Sequence, residues 1–318
     1  MAKKNILVTG GAGFIGSNLV EALLADNRVG KVRVLDNLAT GFKKNIASFL
    51  DNERFEFVEG DIRNFEHCLA ACKDMHLISH QAALGSVPRS IKDPLTTNEV
   101  NITGTLNIFQ AAVQSGVKRV IFAASSSTYG DSENLPKVEH VIGKPLSPYA
   151  VTKYVMELYA DVFSKTYNFE YIGLRYFNVF GPNQDPNGAY AAVIPLFMKA
   201  AIEGKPPMIN GDGTYSRDFT YVANAVQANL LGLFSENEIA VNQIYNIAFG
   251  ERTTLNELWE NIRLVSGAKI KAIHGQNRVG DIPHSLADIS KAKSLIDYTP
   301  SIDVKSGIRL TFNWFKEK

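Results

Sequence analysis

Tyr149 and Lys153 stand four residues apart in the run Ser147-Pro148-Tyr149-Ala150-Val151-Thr152-Lys153. Ser147 suits a helix N-cap and Pro148 the first helical position, so a helix is expected to open here. Residues i and i+4 share one helix face. An ammonium beside a phenol can lower its pKa, and an unperturbed tyrosine near pKa 10 is a poor base at neutral pH. The pair reads as a general base and the cation that activates it. Upstream, Ala123-Ala124-Ser125-Ser126-Ser127-Thr128-Tyr129-Gly130 places four hydroxyls just past an apolar run. Plainer readings exist: a Tyr and a Lys four apart are common on helix surfaces, and a polar loop can follow any buried strand.

A second chemistry lies at the N-terminus. Gly10, Gly13 and Gly16 fall at G-x-x-G-x-x-G spacing between the apolar run 6–8 and the helix-like stretch that follows. Such glycines allow a tight turn, close backbone approach to a pyrophosphate and close helix–strand packing, and a helix N-terminus presents free N–H groups to the anion. Asp36 follows Gly16 by 20 residues at the end of the next strand-like run. An acid there accepts from a ribose 2′-OH and repels a 2′-phosphate, which favours NAD over NADP. Asp61 ends a third run and is placed to contact adenine. His80-Gln81-Ala82-Ala83 ends a fourth with small residues that let backbone approach a cofactor, and His80 itself reads as structural.

The elements that must position these groups alternate. Strand-like runs at 5–9, 32–36, 55–59, 76–81 and 119–123 are separated by helix-like stretches at 14–25, 65–71 and 100–114, and the pattern extends through a helix at 148–166 and a strand at 171–175. Alternation of this kind predicts an α/β protein, a Rossmann-type doubly wound parallel sheet. After Gly181 the rhythm breaks into Gly/Pro-rich turns, with helices near 189–202, 222–234, 255–265 and 304–315. The expected organisation is a cofactor-binding domain over 1–180 and a smaller α/β substrate lobe over 181–318, with some of its chain returning to the sheet.

Composition narrows the class. The chain has 318 residues, 45% of them hydrophobic, and 33 Lys+Arg against 32 Asp+Glu give a net charge of +1. That balance offers no electrostatic footprint for nucleic acid or an anionic membrane. No apolar run approaches the roughly 18 residues of a membrane span. Met1-Ala2-Lys3-Lys4 leads straight into a strand-like run, so the expectation is a cytoplasmic protein without a signal peptide. Two cysteines, Cys68 and Cys72, and six scattered histidines make a disulfide framework or a metal site unexpected.

Taken together, the glycine turn, Asp36, the serines after the fifth strand and Tyr149-x-x-x-Lys153 resemble the extended short-chain dehydrogenase/reductases. Asn98, Asn101-Ile102-Thr103-Gly104-Thr105, residues 175–182, Asn210-Gly211-Asp212-Gly213, Arg217-Asp218-Phe219 and Arg278-x-Gly280-Asp281 extend the likeness. They resemble the nucleotide-sugar 4-epimerase branch, most closely the bacterial UDP-N-acetylglucosamine 4-epimerases. The resemblance implies Ser125, Tyr149 and Lys153 as catalytic residues. It implies NAD against Gly10, Gly13, Phe14, Ile15, Gly16, Asp36, Asn37, Asp61, Ile62, Gln81, Ala82, Ala83, Asn101, Tyr149, Lys153 and Tyr176. It implies a UDP-sugar held by Asn178, Asn210, Arg217, Arg278 and Asp281, with Gly85, Ser86, Ser125, Ser126, Ser127, Tyr149, Gln184, Ala192, Val193 and Ser285 around the sugar.

Dehydratases and decarboxylases of this family carry acids where this chain has Ser126 and Ser127, which points away from elimination and toward epimerisation. Ser285 falls where the family gates the sugar's 2-substituent, and a small residue there admits an N-acetyl group. A UDP-glucose or UDP-glucuronate 4-epimerase is the nearest alternative, with Arg89 a loop candidate for a carboxylate. A non-catalytic NAD-sensing protein is the alternative of another class, and such relatives typically lose the Tyr or Lys. A homodimer through helices near 100–113 and 149–163 is also expected from the resemblance.

Overall fold

The computed structural model describes residues 2–188, 190–276 and 282–317. Its centre is a seven-stranded sheet, parallel throughout. The first half of the chain supplies β1 (Lys4–Thr9), α1 (Phe14–Ala25), β2 (Val29–Asp36), β3 (Phe55–Glu59), α2 (Phe65–Cys72), β4 (Leu77–His80), α3 (Val87–Lys92), α4 (Pro94–Asn98), α5 (Gly104–Gln114), β5 (Arg119–Ser125), α6 (Pro148–Tyr167) and β6 (Glu170–Tyr176). The strands lie in the order β3-β2-β1-β4-β5-β6, and the strand Gln243–Ile247 closes the far edge beside β6. This is the doubly wound α/β arrangement expected from the alternation.

Strand alternation sends side chains to two cores, because both faces of a parallel sheet are covered. From β1, Ile6 and Val8 pack with Leu19, Val20 and Leu23 of α1, whereas Leu7 faces Ile108 and Phe109 of α5. Phe109 anchors that second core, with the rings of Phe122, Phe163 and Phe169 centred 5.2–5.8 Å from its own.

Several elements depart from the sequence pattern. The stretch read as one helix over 100–114 begins as a π-helical turn, Glu99–Thr103, before α5. Ahead of it, α3 and α4 were not visible as periodicity; they have six and five residues and are set by Ser86 and Asp93, whose side chains cap them, each with a proline in the first turn. The helix expected from 189 is Val193–Glu203, because Ala192 is still extended at its N-cap. Gln243–Ile247 is a five-residue strand containing Gln243 and Asn246, too polar to read as a buried run.

Candidate active site

The carboxyl ends of β1, β4, β5 and β6 open onto one cleft of about 1380 Å³. Strand order reverses beside β1, the point where open parallel sheets bind ligands. Gly10 has φ +70°, and a Cβ there would sit 2.7 Å from the Ala82 nitrogen; a Cβ on Gly16 would sit 2.1 Å from the Gly10 carbonyl oxygen. These positions therefore accept glycine alone. Gly13 caps α1 with no side-chain bond, and no acid stands in the first turn, so the opening N–H groups of the helix are left to an anion.

Asp36 is buried, accepting from the Ala12 N–H at 2.9 Å and the Leu38 N–H at 2.8 Å. Burial pushes its carboxyl up, and those two N–H groups oppose the shift. Asp61 accepts from Asn37 Nδ2 at 2.9 Å, and Arg63 holds its carboxyl well below the usual range. Asp36, Asn37, Asp61 and Ile62 all line the cleft, as do Phe14, Ile15, Gln81, Ala82 and Ala83. A backbone cradle that any Cβ would fill, an open helix end and a strand-end acid fit a dinucleotide.

His80 sits beneath this floor, fully buried. Thr105 Oγ1 donates to the Asn101 carbonyl at 2.6 Å, so it must accept from His80 Nε2, 3.0 Å away. Nδ1 is then the acceptor for the Thr9 hydroxyl at 2.6 Å. Burial pushes the imidazole down to about 3, so it is neutral and structural. The unfolded chain binds a proton at His80 below about pH 6.5 that the folded chain refuses, so stability contributed here is present above pH 6.5 and lost as pH falls toward 3. His80→Gln is expected to flatten the acid limb of a stability–pH curve by about 1–2 kcal/mol between pH 7 and pH 5, checked by urea unfolding. Asn101 is also buried below the cleft wall; it bonds both polar groups of the Leu84 backbone and Thr152 Oγ1. It holds the segment that carries Gly85 and Ser86 and does not itself line the cleft.

The catalytic candidates converge. Ser147 caps α6 through the Ala150 N–H at 3.2 Å, with Pro148 in the first turn. Lys153 Nζ donates to the Ala123 carbonyl at the end of β5, at 2.6 Å, and lies 5.9 Å from the Tyr149 ring centroid. Ser125 Oγ accepts from the Ser127 N–H at 3.1 Å and the Ser127 hydroxyl at 2.9 Å, which leaves its own hydrogen for Tyr149. The expected lowering of Tyr149 by Lys153 is corrected by the structure. Burial raises the phenol, and the group that pulls it back is Ser125. Lys153 is itself pushed down to about 8 by burial, with Glu157 opposing. Tyr176 completes the floor, accepting from Asn229 at 2.6 Å and donating to Gln81 at 3.2 Å.

At the other end of the cleft the structure brings together Gly85, Ser86, Ser126, Ser127, Asn178, Gln184, Ala192, Val193, Arg217 and Ser285. Arg217 Nη1 donates to the carbonyls of Ser216 and Pro283 at 3.0 and 3.2 Å. Gln184 Oε1 is buried without a hydrogen-bond partner. Asn210 is exposed at the end of the short strand Met208–Asn210 and is not among the residues lining the cleft. Arg278 and Asp281 lie outside the described residues. Sequence reasoning missed Lys137 and His284, which line the same cleft; each sits in an irregular segment held by a bridge to a distant one. Among the described residues there is no cluster of three or more His, Cys, Asp or Glu able to hold a metal ion, and no helix long and apolar enough to cross a membrane.

A doubly wound parallel sheet with a glycine turn at its first junction and a Ser–Tyr–Lys set at its carboxyl edge defines an NAD-dependent enzyme of the short-chain dehydrogenase/reductase type. The NAD dependent epimerase/dehydratase family model matches residues 6–248, and the chain belongs to that family. It is similar over all of its length, at 42% identity and a TM-score of 0.92, to a UDP-N-acetylglucosamine 4-epimerase from Methanobrevibacter ruminantium M1 in complex with UDP-N-acetylmuramic acid, of which 99% is covered. A UDP-glucose 4-epimerase from Mycolicibacterium smegmatis is 35% identical over 315 residues, 98% of each chain. A UDP-glucuronic acid 4-epimerase from Bacillus cereus, in complex with UDP-glucuronic acid and NAD, is 31% identical with a TM-score of 0.91, covering 98% of this chain and 99% of that one.

Proposed function

We propose that this protein interconverts UDP-GlcNAc and UDP-GalNAc. The chain is an NAD-dependent UDP-sugar 4-epimerase; the N-acetyl preference is the further step, and Ser285 on the cleft wall is the observation that carries it. The likeness to a UDP-N-acetylglucosamine 4-epimerase supports it.

The protein's own groups divide the work. The glycine turn and the end of α1 would hold the cofactor pyrophosphate, Asp36 a ribose, and Lys153 the nicotinamide ribose. NAD held there would supply a hydride acceptor and donor for sugar carbon 4, and a cationic nicotinamide nearby would favour the phenolate of Tyr149. Tyr149 receives the proton of the 4-hydroxyl and later gives it back. Ser125 donates to the same oxygen. Arg217 and Asn178 anchor the diphosphate, with Arg suited to grip it bidentately. A fixed anchor and a roomy cleft let the 4-keto sugar turn over and present its other face. Ser126 and Ser127, where an elimination would need an acid and a base, supply neither at neutral pH.

Separate incubations with UDP-GlcNAc, UDP-GalNAc, UDP-Glc, UDP-Gal and UDP-GlcA, followed by the anomeric proton signals, test the reading. UDP-GlcNAc and UDP-GalNAc are expected to interconvert fastest, and faster turnover of UDP-Glc or UDP-GlcA would refute the preference. Ser285→Tyr is expected to lower kcat/KM for UDP-GlcNAc at least tenfold more than for UDP-Glc, and equal losses would refute the gate.

The reading includes a homodimer through the helices near 100–113 and 149–163, with the exposed apolar row on α6. Val151, Leu158 and Val162 run along the outer face of that helix and are about half exposed, and Leu95 of α4 beside it is 77% exposed. This exposed row supports a contact with a second copy. Sedimentation at twice the chain mass is expected, and a monomer at tens of micromolar would contradict the dimer.

A further inference from the structure

Four Lys or Arg residues line the cleft among the described residues, and three have work already: Arg63 at Asp61, Lys153 at Tyr149, Arg217 at the diphosphate end. The fourth is Lys137, which is 5% exposed. Its backbone is fixed on every side. The Lys137 N–H donates to the Leu286 carbonyl at 2.7 Å, and its carbonyl accepts from the Asp288 N–H at 2.9 Å and from Asn246 Nδ2 at 2.9 Å. These bonds form a parallel bridge between Lys137 and Ala287. Paired residues of a parallel bridge point to the same side, and along an extended segment alternate residues share a side. Ser285, two before Ala287, therefore stands on the Lys137 side of this ladder, and both line the cleft.

An ammonium has three donors and no acceptor. Ser132 supplies one carbonyl to Lys137 Nζ, and Glu133 acts on it only through its field. A nearly buried cation of this kind needs a strong acceptor to offset its lost hydration. A carbonyl oxygen meets that need better than a sugar hydroxyl, which must place its own proton elsewhere.

We propose that Lys137 is a specificity-determining residue: its ammonium donates to the acyl oxygen of the sugar's 2-acetamido group, beside the space left by Ser285. This rests on the UDP-GlcNAc/UDP-GalNAc reading above. Ser285 makes the N-acetyl group admissible, and Lys137 makes it preferred.

The experiment compares kcat/KM for UDP-GlcNAc and UDP-Glc in the purified enzyme with its NAD, in Lys137→Met and Lys137→Arg. A hydrogen bond from a charged donor corresponds to about a tenfold effect or more. The UDP-GlcNAc to UDP-Glc ratio is expected to fall by about that factor in Lys137→Met, through KM, with part of it kept in Lys137→Arg. An unchanged ratio overturns the proposal, and so does a larger loss for UDP-GlcA than for UDP-GlcNAc, which would make the partner a sugar carboxylate. The wild-type protein provides a test independent of folding. UDP-glucosamine keeps the 2-nitrogen and lacks the acyl oxygen, and it is expected to bind at least tenfold more weakly than UDP-GlcNAc; equal binding overturns the proposal. If the wild-type enzyme shows no preference for UDP-GlcNAc over UDP-Glc, the substrate reading itself fails, a result distinct from an unchanged ratio in the variant.

Discussion

Tyr149→Phe is expected to lower kcat by about 10²–10⁴-fold, the range for removal of a positioned general acid–base, while the protein keeps its NAD. The reason lies in what the substitution spares. A phenyl ring preserves the packing at the start of α6, the Ser147 cap and the Lys153 bond to the Ala123 carbonyl, since none of them uses the phenol oxygen. Only the atom that Ser125 polarises is lost. Because the same atom takes and returns the proton, loss is expected in both directions of the reaction. Cofactor absorbance of the purified variant and turnover by NMR check the two halves, and turnover within a few-fold of wild type would remove Tyr149 from the mechanism.

Arg175→Met is expected to destabilise the fold by about 3–5 kcal/mol, the usual cost of leaving a buried ion without its partner. Arg175 of β6 and Glu157 of α6 are 3% and 6% exposed as side chains. They form two parallel bonds, Nε to Oε1 at 2.8 Å and Nη2 to Oε2 at 2.7 Å, the planar fork that suits arginine. Arg175 also donates to the Glu139 carbonyl at 3.0 Å and lies over the Tyr129 ring. Glu157 is one turn beyond Lys153 and favours its ammonium, so the pair joins the stability of α6 to the charge of the site. Adding Glu157→Gln to Arg175→Met is expected to recover part of the loss, because the uncompensated charge goes with it. Urea unfolding reads both variants, and a loss below 1 kcal/mol for the single substitution would contradict this account.

The local features of the site were legible because they depend on short-range rules. Gly10, Gly13 and Gly16 follow from their spacing at a strand–helix junction, Ser147 and Pro148 from the needs of a helix start, and Tyr149 with Lys153 from the helical repeat. What escaped depends on pairing distant in sequence. Asn246 makes Gln243–Ile247 look like loop, yet it is fully buried because Tyr129, Lys137 and Asp288 satisfy its amide. Lys137 sits in a stretch without periodicity and reaches the cleft only through a partner segment 150 residues away. The direction of the Tyr149 shift differs for a similar reason: spacing places a cation nearby, but burial, which raises the phenol, and the Ser125 hydroxyl, which pulls it back, belong to the folded site.

The proposed epimerisation removes and returns one hydrogen at sugar carbon 4, with no net redox change. UDP-GlcNAc carrying deuterium at carbon 4, incubated with the enzyme in ordinary water, tests it most directly. The expected product is UDP-GalNAc with the deuterium still on carbon 4. Exchange of that deuterium for solvent hydrogen, or its net loss to released cofactor, would contradict the account.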